Sequence, residues 1–120
     1  MDEKRIPILV GSGQITQREQ DPLVALSPMD LTASAGFKAA DDTHIGKSIL
    51  KKLDTIVVIR SFSDTSWRFK CPFGKYSNPP LSLSKRLGAE NVNRLIYTYP
   101  GGNMPQWCVN RMFEMVTRGE

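Results

Sequence analysis

The sequence predicts an α/β fold with a mostly parallel sheet, in the order strand, helix, strand, helix, strand, helix. Three short apolar runs have the composition of strands, and the segments between them carry apolar residues at helical spacing. The second run is continuously apolar, which is typical of a strand in a covered parallel sheet. A length of 120 residues suits one domain, so we expect residues 1–120 to form a single unit.

The first predicted strand covers residues 6–10, with the sequence Ile-Pro-Ile-Leu-Val. It runs into Gly11-Ser12-Gly13, a pattern typical of a turn that follows a buried strand. We therefore expect the chain to turn at these glycines.

The first predicted helix begins at Ser27-Pro28-Met29-Asp30 and extends to about Asp41. Serine can cap the helix, proline suits the first helical position, and an acidic side chain belongs in the first turn. Farther along, Ile45, Ile49 and Leu53 repeat every four residues, which predicts a second, shorter amphipathic helix.

The second predicted strand covers residues 55–59, where all five residues are β-branched: one threonine followed by isoleucines and valines. Residues 61–78 lose all periodicity but keep several aromatic side chains, so we expect a long ordered loop. A further helix begins at Pro79 and ends at Gly88, a residue suited to the left-handed conformation that closes helices.

The third predicted strand covers residues 95–99. The turn Gly101-Gly102-Asn103 then leads into a last helix that ends at Gly119. This helix is apolar over most of its circumference and should be covered on more than one side. Because the sequence ends directly after Gly119, we expect residues 1–120 to be a partial, truncated domain.

Composition narrows the function classes. No apolar run approaches the roughly 18 residues of a membrane span, and no signal region follows the charged start, so we expect a cytoplasmic protein. The net charge of +4 comes from scattered basic residues without a nucleic-acid-binding motif, so nucleic acid is not an expected partner. Cys71 and Cys108 have no metal-ligand or redox spacing, which favours two free thiols and predicts no metal site.

Three segments carry a resemblance to a known family. Residues 6–13 resemble the first strand and turn of thiolases, and residues 53–58 resemble their passage into the second strand. The third segment looks like the divergent, thiolase-like acetyl-CoA acetyltransferases and has the sequence Gly101-Gly102-Asn103-Met104-Pro105-Gln106, followed by Val109-Asn110-Arg111 and Arg118-Gly119-Glu120. The resemblance covers almost all of this chain but only a minor amino-terminal part of a thiolase subunit.

The resemblance implies acyl transfer between coenzyme A thioesters, with no permanently bound cofactor. In the family a nucleophilic cysteine lies at the amino end of the buried helix, a position that falls near Gly102 here. Thiolases also need a histidine and a second cysteine from their later half. His44 fits a surface or capping residue and Cys108 fits a core residue, so we expect no catalytic residues and no activity from this chain alone. Gly101, Gly102 and Asn103 would shape an acyl-CoA pocket with their backbone N–H groups.

Two other functions stay open. Residues 11–16, Gly-Ser-Gly-Gln-Ile-Thr, resemble a dinucleotide-binding fingerprint whose last glycine is replaced by Thr16, and a nucleotide-binding oxidoreductase module would need a helix starting near Gly13. A non-catalytic assembly or acyl-CoA-binding module is the other alternative. By the same resemblance, residues 95–99 would pair across a dimer axis, so we expect a homo-oligomer or pairing with a missing carboxyl-terminal half.

Overall fold

The computed structural model describes residues 5–120. The elements in chain order are α1 (Pro28–Asp42), a 3-10 helix (Gly46–Lys52), β1 (Thr55–Val58), a 3-10 turn (Phe62–Asp64), α2 (Pro79–Leu87), β2 (Arg94–Tyr97) and α3 (Met104–Arg118). The two strands pair in parallel, with Thr55 opposite Arg94 and Val58 opposite Tyr97. The predicted α/β class with a parallel sheet is confirmed.

Helix α1 begins and ends as its sequence predicts. The Ser27 hydroxyl accepts a hydrogen bond from the Asp30 N–H at 3.1 Å, and Pro28 occupies the first helical position. At the other end His44 adopts a positive φ of 64°, and its N–H donates to the Asp41 carbonyl at 3.1 Å. The exposed His44 thus closes the helix, in agreement with the predicted capping role.

The other two α-helices also have local start and stop signals. The Asn78 side chain caps α2 by accepting from the Leu81 N–H at 3.3 Å. Gly88 and Gly119 end α2 and α3 with φ values of 69° and 75°, in the left-handed region where a side chain is costly. The predicted ends of both helices are therefore confirmed.

The hydrophobic core lies on one face of the two-stranded sheet. Helices α1 and α2 and the 3-10 helix pack together there, with Ala33, Leu50, Leu83 and Leu87 buried around Ile56 of β1. Each large apolar side chain buried in this way contributes about 1.5–3 kcal/mol. The expectation that residues 55–59 are covered on both sides is only half met, since Ile56 is the buried residue of β1 and the others are half-buried.

The predicted first strand is wrong. Residues 6–10 adopt no regular secondary structure, and Ile8 and Leu9 are 74% and 77% exposed. An apolar run becomes a strand only when another strand accepts its hydrogen bonds, and the sheet of the described residues contains only β1 and β2. Composition alone could not reveal whether a pairing partner is present.

The turn predicted at Gly11 and Gly13 is also wrong. A Cβ atom built on Gly13 would lie 2.5 Å from both the Ala35 carbonyl oxygen and the Ala39 backbone nitrogen, and one on Gly11 would lie 2.5 Å from the Ala39 carbonyl oxygen. The glycines therefore permit close approach of this segment to α1. They do not open a helix, since α1 starts only at Pro28, which contradicts the requirement of the dinucleotide-binding alternative.

Helix α3 is less covered than predicted. Met104 and Met115 are its buried residues, whereas the apolar side chains of Trp107, Val109 and Val116 are exposed. The expectation of cover on more than one side is thus not met within residues 5–120. Across the same residues, every helix is too short or too polar to cross a membrane.

Candidate functional site

The turn Gly101-Gly102-Asn103 connects β2 to the amino end of α3. Gly101 has a φ of 143°, and its carbonyl accepts the Met104 N–H at 3.2 Å. Asn103 is the N-cap with φ −83° and ψ −12°, unlike the extended backbone of most side-chain caps. The first N–H groups of a helix lack intrahelical partners and carry partial positive charge. The sequence thus places the three predicted binding residues at an electropositive helix end.

The two glycines of this turn have different structural requirements. A Cβ on Gly101 would lie 2.8 Å from the Asn103 Oδ1, in addition to the strain of the positive φ. By contrast, apart from Gly102 itself and its two chain neighbours, no atom of the described residues lies within 4 Å of a Cβ built on Gly102, which is exposed. Position 102, where the family resemblance places a cysteine, therefore has room for a side chain.

The two cysteines are free thiols, as predicted, and both are half-buried. Cys108 lies beyond the first turn of α3, and burial raises the pKa of its thiol. A raised pKa lowers the fraction of reactive thiolate at neutral pH. Within residues 5–120, no cluster of three or more His, Cys, Asp or Glu side chains is arranged to hold a metal ion.

A cavity of about 140 Å³, which no sequence pattern predicted, lies at the carboxyl ends of β1 and β2. Met29 at the start of α1, Val58 of β1 and Tyr97 of β2 line it, and the loop between β1 and α2 adds Cys71 and Tyr76. Crevices at the carboxyl ends of parallel strands are the general location of ligand sites in open α/β sheets.

The Tyr97 side chain joins the sheet to the start of the long loop. Its hydroxyl donates a hydrogen bond to the Asp64 carboxylate, and the Arg60 guanidinium lies 4.3 Å from its ring centroid. Burial, together with the Asp64 carboxylate, raises the pKa of Tyr97 above its usual value. The phenol therefore remains protonated at neutral pH.

The Arg86 side chain of α2 joins the end of the same loop to α1. Its Nε lies 2.8 Å from the Asp30 Oδ1, and its Nη2 donates to the Tyr76 hydroxyl at 3.0 Å. The hydrogen bond from Arg86 holds the pKa of Asp30 below its usual value. The loop is thus fixed near both of its ends, at Asp64 by Tyr97 and at Tyr76 by Arg86. These contacts hold the loop beside the sheet, with the cavity between them.

Comparison with known proteins supports the fold. No family model and no curated protein matches the sequence. Among solved structures, the chain is similar to a monomeric SCP2-thiolase like protein type 1 from Mycobacterium smegmatis, with a TM-score of 0.76 and 24% sequence identity. The match covers 100% of this chain but only 22% of that protein. The described residues 5–120 thus have a fold similar to part of an SCP2-thiolase-like protein.

Proposed function

We propose that this chain is part of a thiolase-like protein that handles acyl-coenzyme A, and that residues 1–120 alone bind acyl-CoA without transferring the acyl group. The observation that carries the proposal is the match of the whole chain to an SCP2-thiolase-like protein. The activity proposed for a complete protein is acyl transfer between coenzyme A thioesters, of the acetyl-CoA acetyltransferase kind. A cytoplasmic location belongs to the same proposal.

The Gly101-Gly102-Asn103 turn is the proposed contact with the thioester. Its position at the amino end of α3 suits a carbonyl oxygen or a phosphate, which the partial positive charge there attracts. The proposed donors are the backbone N–H groups of the turn itself, since the Met104 N–H is bonded to the Gly101 carbonyl and Pro105 has no N–H. The exposure of Gly102 leaves room for such a group to approach the backbone.

The proposed lack of acyl transfer by these residues alone is supported by the residue types. Gly102 has no side chain to attack a thioester, and the raised pKa of Cys108 disfavours its thiolate. His44 is exposed and ends α1, a structural role that accounts for its position. Acyl transfer by this protein would therefore need groups from outside these 120 residues.

Calorimetric titration with acetyl-CoA tests the binding proposal. We expect binding by the unmodified chain and a loss of about tenfold or more in affinity for Gly102→Val, because the isopropyl group covers N–H groups whose hydrogen bonds to a charged ligand contribute roughly 1.5–3 kcal/mol each. Ser77→Val, at an exposed loop position, is the control and should bind normally. Equal affinity of the two variants would contradict the assignment of the turn.

A variant with a thiol added at position 102 tests whether the Gly101-Gly102-Asn103 turn is the thioester site. Gly102→Cys places a thiol near the positive end of α3, where an added Cβ meets no described atom within 4 Å outside residues 101–103. We expect acetyl-CoA to acetylate this introduced thiol faster than it acetylates Cys108, as measured by mass spectrometry of the digested protein. Acetylation confined to Cys71 and Cys108 would count against the turn as the thioester site.

An assembly role is a second candidate, favoured by exposed apolar side chains. On α3, Trp107 and Phe113 are 47% and 37% exposed, and Tyr99 after β2 is 80% exposed. Apolar surface of this kind promotes association, so we propose a homo-oligomer or pairing with a separate remainder of the fold. The similar Mycobacterium smegmatis protein is described as monomeric. A monomeric mass in light scattering at micromolar concentration would exclude the homo-oligomer.

A further inference from the structure

The cavity between the long loop and the sheet has the size of a small ligand. Its volume of about 140 Å³ is far more than the roughly 30 Å³ that one water molecule occupies in the liquid. Apolar cavities of about 150 Å³ in proteins hold a benzene molecule. The space therefore suits a ring or chain of about six heavy atoms.

The chemistry of the lining favours an uncharged ligand. Asp64 and Lys75 are the charged residues among those that line the cavity, and their charges are opposite. The Asp64 carboxylate already accepts the Tyr97 hydroxyl, which stays protonated at neutral pH. A charged ligand would lose its hydration without a net opposite charge to replace it, and that loss is costly.

The surrounding contacts hold the cavity open in a defined shape. The two ends of the loop are fixed to separate elements, through Asp64 to Tyr97 of β2 and through Tyr76 to Arg86 of α2. Met29 and Val58 form apolar walls on the α1 and β1 sides. A largely preformed apolar cavity with few polar groups is the usual form of a small-molecule site.

We propose that this cavity is a binding site for a small uncharged apolar molecule, of the size of a benzene ring or a chain of about six carbon atoms. The site is separate from the Gly101-Gly102-Asn103 turn, since none of these three residues lines the cavity. The inference therefore does not depend on the proposed acyl-CoA binding.

The thiol of Cys71 provides the assay, because it lines the cavity whereas Cys108 does not. The alkylation rates of both thiols by iodoacetamide are measured by mass spectrometry, with and without benzene. We expect benzene to bind with a Kd of about 1 mM or lower, which is within reach of six heavy atoms. At five times its Kd, occupancy should slow Cys71 alkylation about sixfold and leave the Cys108 rate unchanged.

Matched variants locate the effect. Ser63→Leu fills the cavity and should abolish protection of Cys71, whereas Ser77→Leu makes the same change in the same loop away from the cavity and should retain it. Thr32→Leu narrows the cavity from the α1 side and serves as a second filling variant, should Ser63→Leu fail to fold by circular dichroism.

Three results would each overturn the proposal. The first is the same Cys71 alkylation rate in wild type with and without benzene. The second is protection that persists in a folded filling variant. The third is protection by benzoate equal to or stronger than that by benzene, since this would assign the cavity to an anion. Weaker protection by benzoate, together with the expected variant pattern, would support the proposal.

Discussion

Gly13→Ala offers a direct test of the close approach between the amino-terminal segment and α1. The added methyl group would lie 2.5 Å from the Ala35 carbonyl oxygen and from the Ala39 backbone nitrogen, and 2.8 Å from the Lys38 Cβ. Because the nearest two atoms belong to the helix backbone, a side-chain rotation cannot relieve the contact. The segment around Gly13 must shift or detach from α1.

The expected change in the free energy of unfolding follows from two opposing effects. Inserting a methyl group into a closely packed contact costs about 1–3 kcal/mol. Replacing glycine by alanine also restricts the unfolded chain, which offsets about 0.4–1 kcal/mol of that cost. We therefore expect Gly13→Ala to destabilise the protein by about 1–2 kcal/mol.

Gly102→Ala is the matched control for this substitution. Outside residues 101–103, no described atom lies within 4 Å of the added Cβ, and Gly102 is not among the residues with positive φ, so the unfolded-state effect should dominate. We expect unchanged stability or a gain of up to about 1 kcal/mol in urea unfolding followed by circular dichroism. Equal stability of the two variants would refute the packing of residues 11–13 on α1.

Three further changes test the contacts that hold α1, α2 and the cavity in place. Removing the Asp30 partner with Arg86→Met should lower the free energy of unfolding at pH 6. The difference in stability from wild type should narrow as the pH falls below Asp30's ordinary pKa of 3.8, because its lowered pKa contributes stability only while the carboxyl is ionised; a constant difference in urea unfolding at several pH values would contradict this. A difference absorbance titration of wild type against Tyr97→Phe should show that Tyr97 ionises above its ordinary pKa of 10.0. The stability that depends on its protonated phenol should decline as the pH rises past 10. An ionisation midpoint at or below 10 would refute the effect of burial and Asp64 on the pKa. Ser27→Ala removes the cap of α1 and should cost about 1 kcal/mol, whereas an unchanged urea midpoint would show that the hydroxyl contributes nothing.

The helices could be predicted from the sequence because their signals are local. Ser27 and Pro28 mark the start of α1, and Gly88 and Gly119 end α2 and α3 through a backbone conformation that glycine adopts without strain. The turn at Gly102 was likewise located by its neighbours in the sequence. Its role in binding stays a prediction.

The misses all depend on contacts between distant residues. Residues 6–10 have the composition of a strand but no strand partner among the described residues, and Gly13 is explained only by its distance from Ala35. The cavity arises where Tyr97 meets Asp64, 33 residues earlier in the chain. The Arg86 side chain, which holds the loop through Tyr76, is itself placed by Asp30, 56 residues earlier. No local pattern specifies which of many aromatic and acidic residues will meet.

The parallel pairing of β1 with β2 also constrains how the chain folds. Parallel neighbours cannot form from a hairpin, so the long loop and α2 must be brought across the sheet before Val58 and Tyr97 can meet. Non-local pairing of this kind slows folding, whereas helix α2 can form early from its own caps.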